Sequence, residues 1–309
     1  MAPRSSATSP QRSVSYYGQP IVKAPVWKAE IPRYFFAGGL GGVSSTLALG
    51  ARLTGNDVLA RRASLVAAAA LGVSPYFLIK DLGRPRRFLN MFRVFKVTSP
   101  MSVGSWLLGV AGGAATTAAA LEVTGLFPRL QALAESVAGA LGPGVATYTG
   151  GLISQSVIPV WHEGRQELPL LFGASGAAAA GGATALLTPV YAAAPARRLA
   201  IAGAVTELAV QKVMEKRIGA LTAEPYKRGK AGTYSNLGAG LMLAGSALMA
   251  LAGKRRFGAI AAGSLLVGGS LAQRFAVFHA GQISAEDPKY TTLPQRERAD
   301  EHGRRAQTA

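Results

Sequence analysis

The chain has 309 residues, of which 49% are hydrophobic and only 16% are charged, whereas soluble domains carry about 25% charged residues. This composition argues against a soluble protein. The net charge of +18 would suggest a nucleic-acid partner on a soluble chain, but here the basic residues lie between apolar runs and not among stacking aromatic side chains. We therefore expect no nucleic-acid partner.

Both ends of the sequence are polar. Residues 1–26 are rich in Ser and Pro and lack the apolar core and cleavage site of a signal peptide, which predicts a disordered tail. Residues 281–309 predict a polar C-terminal tail.

Eight apolar segments lie between the tails, and each approaches the roughly 20 residues that a helix needs to cross a membrane. An additional stretch, residues 130–141, predicts an interfacial helix that leads into the fourth segment. The sequence therefore predicts an all-α integral membrane protein with eight transmembrane helices. The predicted spans are residues 31–53, 60–80, 101–121, 143–161, 168–191, 198–216, 233–252 and 256–279.

Small residues are frequent within these spans and allow helices to pack closely. The pairs Gly38/Gly42 and Gly109/Gly113 have the small-xxx-small spacing that is typical of membrane helix contacts. The run GGLGG at 38–42 lies inside a span and follows no strand, so it does not indicate a dinucleotide-binding loop.

The distribution of basic residues predicts the topology. Eight spans place both termini on one side, and that side carries most of the Lys and Arg residues outside the spans. The positive-inside rule then predicts a multi-pass protein of the cell membrane with both termini in the cytoplasm.

The inventory of metal-binding side chains is small. The chain has no Cys to bind an iron–sulfur cluster or a structural zinc, and its three His residues, His162, His279 and His302, do not provide two facing imidazoles for a haem. We expect no metal or haem in this chain, so any such centre would belong to a partner.

Polar side chains cluster where three predicted spans begin or end. Placing polar or charged side chains at the membrane boundary costs free energy, so such residues suggest a function. The eight-span topology places these three groups on one face. Interfacial aromatic belts and snorkelling cations are the alternative interpretation. Glu207, in the sixth span, stands apart. The three groups are Trp27, Lys28, Glu30, Arg33 and Tyr34; Lys80, Asp81, Arg84 and Arg86; and Tyr148, Ser154, Gln155, Trp161, His162, Glu163 and Arg165.

The two carboxylates in these groups have nearby cations in the sequence. Glu30 is three residues before Arg33, and Asp81 lies between Lys80 and Arg84. Because a paired carboxylate can remain buried, we expect Glu30 to pair with Arg33, and Asp81 to pair with Lys80 or Arg84.

Three segments resemble the NrfD family, the membrane anchor of polysulfide reductase. They are PVWKAEIPRYFFAGGLGG (25–42), IKDLGRPRRFLNMFRVFKVTSPMSVGSWLL (79–108) and YTGGLISQSVIPVWHEGRQELPLLFGASG (148–176). The middle segment is the most specific because its pattern is long. The resemblance extends over about residues 25–280.

This resemblance implies an eight-helix protein in two four-helix bundles, residues 27–161 with a quinone site and residues 162–280. It also implies a complex in which a four-cluster iron–sulfur subunit and a molybdenum or tungsten pterin (molybdopterin) catalytic subunit are partners. The chain would exchange electrons between the clusters and a membrane quinone, with menaquinone as the expected type. Formate or a sulfur compound is the favoured substrate of the catalytic subunit.

The resemblance also implies which residues bind the quinone. The polar start of the first helix and a tyrosine of the fourth correspond to Glu30, Arg33 and Tyr148. In the hypothesis, Tyr148 donates a hydrogen bond to a quinone carbonyl, Glu30 relays protons with Arg33 tuning its pKa, and Asp81 assists in catalysis. The full predicted set is Glu30, Arg33, Tyr34, Lys80, Asp81, Arg84, Tyr148, Gln155, Trp161 and His162.

Two other functions remain open. In a secondary transporter or proton-translocating domain, Glu30, Asp81, Glu163 and Glu207 would line a proton path, although no inverted repeat is visible. In a structural scaffold, the chain would only tether its partners. The cytoplasmic placement of the basic face further predicts that the partner subunits dock in the cytoplasm.

Overall fold

A computed structural model describes residues 20–296, and within that range the chain forms helices and turns without a strand. Most of the two predicted tails, residues 1–19 and 297–309, lies outside the described range. Residues 281–286 continue the last long helix, and residues 289–296 are also helical.

Eight of the helices in this range have 20 residues or more. Short helical turns connect some of them. The long helices are α1 (Glu30–Leu53), α2 (Asp57–Asp81), α4 (Pro100–Thr124), α5 (Pro128–Ser154), α7 (Leu168–Leu187), α8 (Ala194–Arg217), α10 (Gly229–Ala252) and α11 (Arg256–Glu286); the short ones are α3 (Arg87–Asn90), α6 (Pro159–Glu163), α9 (Gly219–Ala223) and the 3₁₀ turn η1 (Glu224–Lys227).

Five of these helices, α2, α4, α7, α10 and α11, are long and apolar enough to cross a membrane. The other three long helices, α1, α5 and α8, are not among these five. In α8 the charged residues Arg197, Arg198, Glu207 and Lys212 lower the apolar content.

The predicted interfacial helix and the fourth predicted span form one helix, so the separation into two elements was wrong. Residues 130–141 are the first part of α5, and Pro143 lies inside it. The predicted end at residue 161 was also wrong, because α5 ends at Ser154 and the chain restarts a helix at Pro159. A residue before proline avoids the helical region, and Ile158 is accordingly extended, with φ −72° and ψ 121°.

The long helices pack in the same order in the two halves of the chain. In the first half α1 contacts α2 and α5, and α4 contacts α2 and α5. In the second half α7 contacts α8 and α11, and α10 contacts α8 and α11.

The halves meet along α1 and α7, and these two helices run parallel. The rings of Phe35 and Phe172 are 5.7 Å apart, and the backbones of Gly39 and Gly176 touch four residues later in both helices. The second contact lies four residues further toward the C-terminus in both helices. The two helices therefore run in the same direction and start at the same face of the molecule. We call this face the near face. It carries the starts of α1 and α7 and the ends of α2, α5, α8 and α11.

Glycine allows close helix contacts within the first half. A Cβ atom on Gly42 would lie 2.6 Å from the carbonyl oxygen of Gly142, so α1 and α5 pack backbone to backbone there. In the second predicted pair, Gly109 packs against the ring of Phe92, whereas Gly113 has open space around it.

Candidate functional site

A small cavity lies at the near face, between the ends of four helices of the first half. It has a volume of about 100 Å³. Most of its lining is apolar or aromatic, and exposed Met101 lies at its rim. The lining residues are Trp27, Ile31, Tyr34, Phe35, Leu78, Asp81, Leu82, Met91, Met101, Ser105, Tyr148 and Leu152.

Two phenol groups meet at the wall of this cavity. The hydroxyl of Tyr34 on α1 is hydrogen-bonded to the hydroxyl of Tyr148 on α5. Gly104 on α4 makes room for the Tyr148 ring, because a Cβ atom at that position would overlap the ring. The Ser74 hydroxyl donates to the Tyr34 carbonyl at 3.2 Å and fixes α2 against the same turn of α1.

The two predicted carboxylates hold the segment before α1 against the end of α2. Asp81 Oδ1 accepts a hydrogen bond from the backbone N–H of Lys28 at 3.0 Å, and Glu30 forms an ion pair with Lys80 at 3.1 Å. The structure therefore shows other partners than the expected ones for both carboxylates. The reason is that α1 and α2 are antiparallel neighbours, which brings the start of one beside the end of the other.

A stacked pair of tryptophans lies at one side of the site, and of the two only Trp27 lines the cavity. Trp27 lines the cavity and stacks on Trp161, with ring centroids 5.8 Å apart and an angle of 19° between the planes. Trp161 is fully buried and donates from Nε1 to the carbonyl of Val277 at 2.8 Å. A Cβ atom on Gly281 would overlap the Trp161 ring, so this glycine makes room for it. Trp161 thus packs against the face of Trp27 that is turned away from the cavity, and its hydrogen bond to Val277 links Trp27 to α11.

The structure separates the remaining predicted residues from this cavity. Gln155 and His162 line a different, more polar cavity of about 350 Å³, together with Tyr290. The break between α5 and α6 turns both side chains away. Arg33 and Arg84 are exposed and do not contribute to the lining.

Sequence reasoning selected four of the twelve lining residues, and the eight that it did not select include Met91, Met101 and Ser105. These three belong to the turn after α3 and the first turns of α4. Met101 and Ser105 occupy one helix face, four residues apart, and the Ser105 hydroxyl donates to the Met101 carbonyl at 2.8 Å. This four-residue spacing, close in sequence to the polar end of the second span, could have indicated from the sequence that both residues line the site.

The second half contains two buried ionisable side chains, Glu207 and Arg274, of which sequence reasoning identified only Glu207. Arg274 on α11 is 1% exposed and donates from Nη2 to the carbonyl of Phe172 at 2.7 Å, with its guanidinium 3.8 Å from the Phe172 ring centre. The carboxyl group of Glu207 on α8 lies beside Ser175 and within electrostatic reach of Arg274. An arginine inside an apolar span was the signal for Arg274.

The cavity offers hydrogen bonds and an apolar enclosure. The Tyr34 and Tyr148 hydroxyls, the Asp81 carboxylate and the Ser105 hydroxyl are its polar groups. Among residues 20–296 no group of three or more His, Cys, Asp or Glu residues is arranged to hold a metal ion. The arrangement can therefore enclose a planar, mostly apolar molecule and donate hydrogen bonds to an oxygen atom on it.

Comparison with known families identifies one match. The family model described as polysulphide reductase, NrfD, matches residues 19–223, which include all of the cavity lining. No curated protein matches the chain. The match covers more than half of the chain and agrees with the resemblance of the three segments quoted above. With its long apolar helices, the chain is an integral membrane protein that belongs to the NrfD family.

Proposed function

We propose that the chain is the quinone-binding membrane subunit of an oxidoreductase complex and that the quinone ring binds in the cavity at the near face. The observation that carries this proposal is the Tyr34–Tyr148 hydroxyl pair at the wall of a small apolar cavity. A quinone is a planar apolar ring with a carbonyl oxygen at each end, and a phenol pair can donate to one of them.

The size of the cavity suits a ring and not a whole lipid-soluble quinone. A dry apolar cavity of roughly 150 Å³ holds one benzene molecule in another protein. The cavity of about 100 Å³ is of the same order, so a ring fits with small side-chain adjustments. The isoprenoid tail would leave past exposed Met101 toward the lipid.

The roles of the polar residues follow from their contacts. When bound, a quinone takes up two electrons and two protons. Tyr34 and Tyr148 orient a carbonyl oxygen and can pass a proton along their shared hydrogen bond. Asp81 lines the cavity and holds the Lys28 backbone, so it is placed between the ring and the solvent. Glu30 lies outside the lining and, through Lys80, holds the segment that carries Trp27.

The architecture of the complex is part of the same proposal. All eight long helices span the membrane and form two four-helix bundles, residues 27–161 and 162–280. The repeated packing order of the two halves supports this division. Both termini lie in the cytoplasm, and an iron–sulfur subunit with a molybdopterin catalytic subunit beyond it docks on the near face. Menaquinone is the proposed quinone, and formate or a sulfur compound the substrate of the partner.

The test is the amount of quinone that remains bound to the purified protein, together with quinone-linked turnover in the assembled complex. Tyr148→Phe and Tyr34→Phe remove the two hydroxyls and keep the rings. We expect each to lower turnover by about 100-fold. Tyr191→Phe, at a position that is 81% exposed, is the matched control. Normal turnover in both cavity variants would contradict the proposal.

A second candidate function is proton translocation, and the buried Glu207–Arg274 pair favours it. Ionisable groups at membrane depth are costly and often mark proton paths. In vesicles that contain the assembled complex, proton uptake coupled to turnover would support this function. Glu207→Gln would then abolish uptake while turnover continues, whereas unchanged uptake in this variant would exclude a path through Glu207.

A further inference from the structure

A polar cavity of about 310 Å³ lies in the second half between α8, η1 and α10, and α8 and α10 correspond in packing order to α2 and α4 of the first half. The first cavity lies between the end of α2 and the start of α4, and the second lies between the end of α8 and the start of α10. Because α1 and α7 are parallel, both cavities open at the near face. The second cavity is lined by Leu208, Gln211, Lys212, Glu215, Tyr226, Lys227, Ser235, Asn236 and Ala239.

Tyr226 supplies a hydrogen-bond donor that nothing in the described chain uses. Its side chain is 3% exposed, and its hydroxyl has no hydrogen-bond partner within residues 20–296. Burial raises the pKa of this phenol, and the charge of Glu215 raises it further, so the group remains protonated and able to donate. An unused buried donor costs free energy unless a ligand accepts from it.

The charges around Tyr226 leave an excess of positive charge. Glu215 pairs with Lys212 at 3.5 Å and accepts from Gln211 at 3.1 Å, so its charge is already balanced. Lys227 adds one positive charge, and Asn236 adds an amide donor. The cavity therefore suits an anionic group with several acceptor oxygens.

The cavity also changes in polarity with depth. Its outer part carries Glu215 and Lys227, near the ends of α8 and η1. Its inner part carries Leu208 and Ala239, which lie about two turns further into α8 and α10. A molecule with a charged head and an apolar tail matches this order, and a free anion does not.

We propose that this cavity binds the phosphate group of a membrane phospholipid, with Tyr226, Lys227 and Asn236 on the phosphate oxygens and the acyl chains along Leu208 and Ala239. The site is separate from the quinone cavity and does not depend on it. Basic pockets between transmembrane helices bind anionic head groups in the same way.

The test is native mass spectrometry of the full chain in detergent, titrated with phosphatidylglycerol or with inorganic phosphate alone. We expect one tightly bound phosphatidylglycerol per chain in the wild type. Tyr226→Phe and Lys227→Gln should each weaken this binding by about fivefold to tenfold. The matched controls are Tyr76→Phe and Lys216→Gln, two exposed residues outside the cavity, and they should bind as the wild type does.

Three results would overturn the proposal. Lipid binding that is equal in all five proteins would place the lipid elsewhere. Inorganic phosphate that binds alone, with the same dependence on Tyr226 and Lys227, would make this a site for free phosphate. Displacement of the lipid by a soluble quinone would make it a second quinone site. If Tyr226→Phe does not fold, Lys227→Gln and its control decide the question alone.

Discussion

The two halves of the molecule have the same helix packing but different chemistry at the corresponding cavity. In the first half the helix ends enclose aromatic rings and the phenol pair of Tyr34 and Tyr148. In the second half the cavity between α8, η1 and α10 holds charged and amide side chains around Tyr226. The helix packing order is shared, whereas the side chains of the last helical turns differ and determine what each cavity can bind.

The halves also differ in where they bury charge. The first half has a partly buried ionic cluster at the opposite end from the cavity, where Arg52 pairs with exposed Asp57 and with Glu122 and Glu135 and joins all four long helices. The second half has Arg274 and Glu207 buried beside the α7 interface. The ionic cluster of the first half therefore lies away from its cavity, whose own ionisable lining residues are Asp81 and the two tyrosines.

The largest expected effect is on stability and tests whether the buried pair is a necessary part of the second half. Arg274→Met leaves Glu207 buried without its counter-charge, and we expect a loss of about 3 kcal/mol in the free energy of unfolding. Adding Glu207→Leu removes the unpaired charge and should recover part of this loss. Denaturation in detergent is measured for both single variants and the double variant. Together the three values give the interaction free energy between Arg274 and Glu207. Equal and additive effects would show that the two residues do not interact.

The next effect tests whether the shape of the first cavity matters. Gly104→Val would push on the Tyr148 ring and separate its hydroxyl from Tyr34. We expect quinone-linked turnover to fall by about 100-fold, as for loss of the hydroxyl itself. Gly113→Val on the same helix is the control, because it has open space around it. Equal turnover in the two variants would remove the phenol pair from the mechanism.

A smaller effect concerns the aromatic wall. Trp27→Leu removes the ring that covers the cavity while the anchoring contacts of Lys28 and Glu30 remain. We expect the KM for the quinone to rise about tenfold with little change in kcat, because the ground state and the transition state lose the same ring contact. Trp106→Leu, which faces a separate cavity of the first half, should leave the KM unchanged. A fall in kcat alone would assign Trp27 another role.

The smallest effect concerns the pH dependence of stability beside the second cavity. Glu224 accepts from Lys289 at 2.8 Å, and this hydrogen bond lowers the pKa of Glu224 below its ordinary value of 4.5. A lowered pKa stabilises the folded state above pH 4.5, and this contribution is lost as the pH falls below that value. Glu224→Gln should therefore flatten the acid side of the stability profile measured by thermal denaturation. Glu286→Gln, an exposed carboxylate at the end of α11, should not.

The sequence predicted the eight long helices better than it predicted individual contacts. Apolar length identifies helices, and the polar ends of three spans identified Tyr34, Asp81 and Tyr148, all of which line the cavity. The expected ion pairs of Glu30 and Asp81 were wrong because sequence neighbours were assumed to be spatial partners.

Other errors arose from proline and from tertiary packing. The fourth span was predicted over residues 143–161, yet Pro143 lies inside α5, and the helix breaks before Pro159. This break is what separates Gln155 and His162 from the cavity. Arg274 was missed because its partners, Phe172 and Glu207, are far away in the sequence and only the packing of α7, α8 and α11 brings them together.

The most direct test of quinone binding in the first half is labelling of the full chain with a photoreactive azidoquinone, followed by peptide sequencing. We expect labelled peptides from the start of α1 and from the segment that contains Met101, and loss of both labels in Gly104→Val. Labels on α8 and α10, around Gln211 and Asn236, would contradict this expectation and place the quinone in the second half.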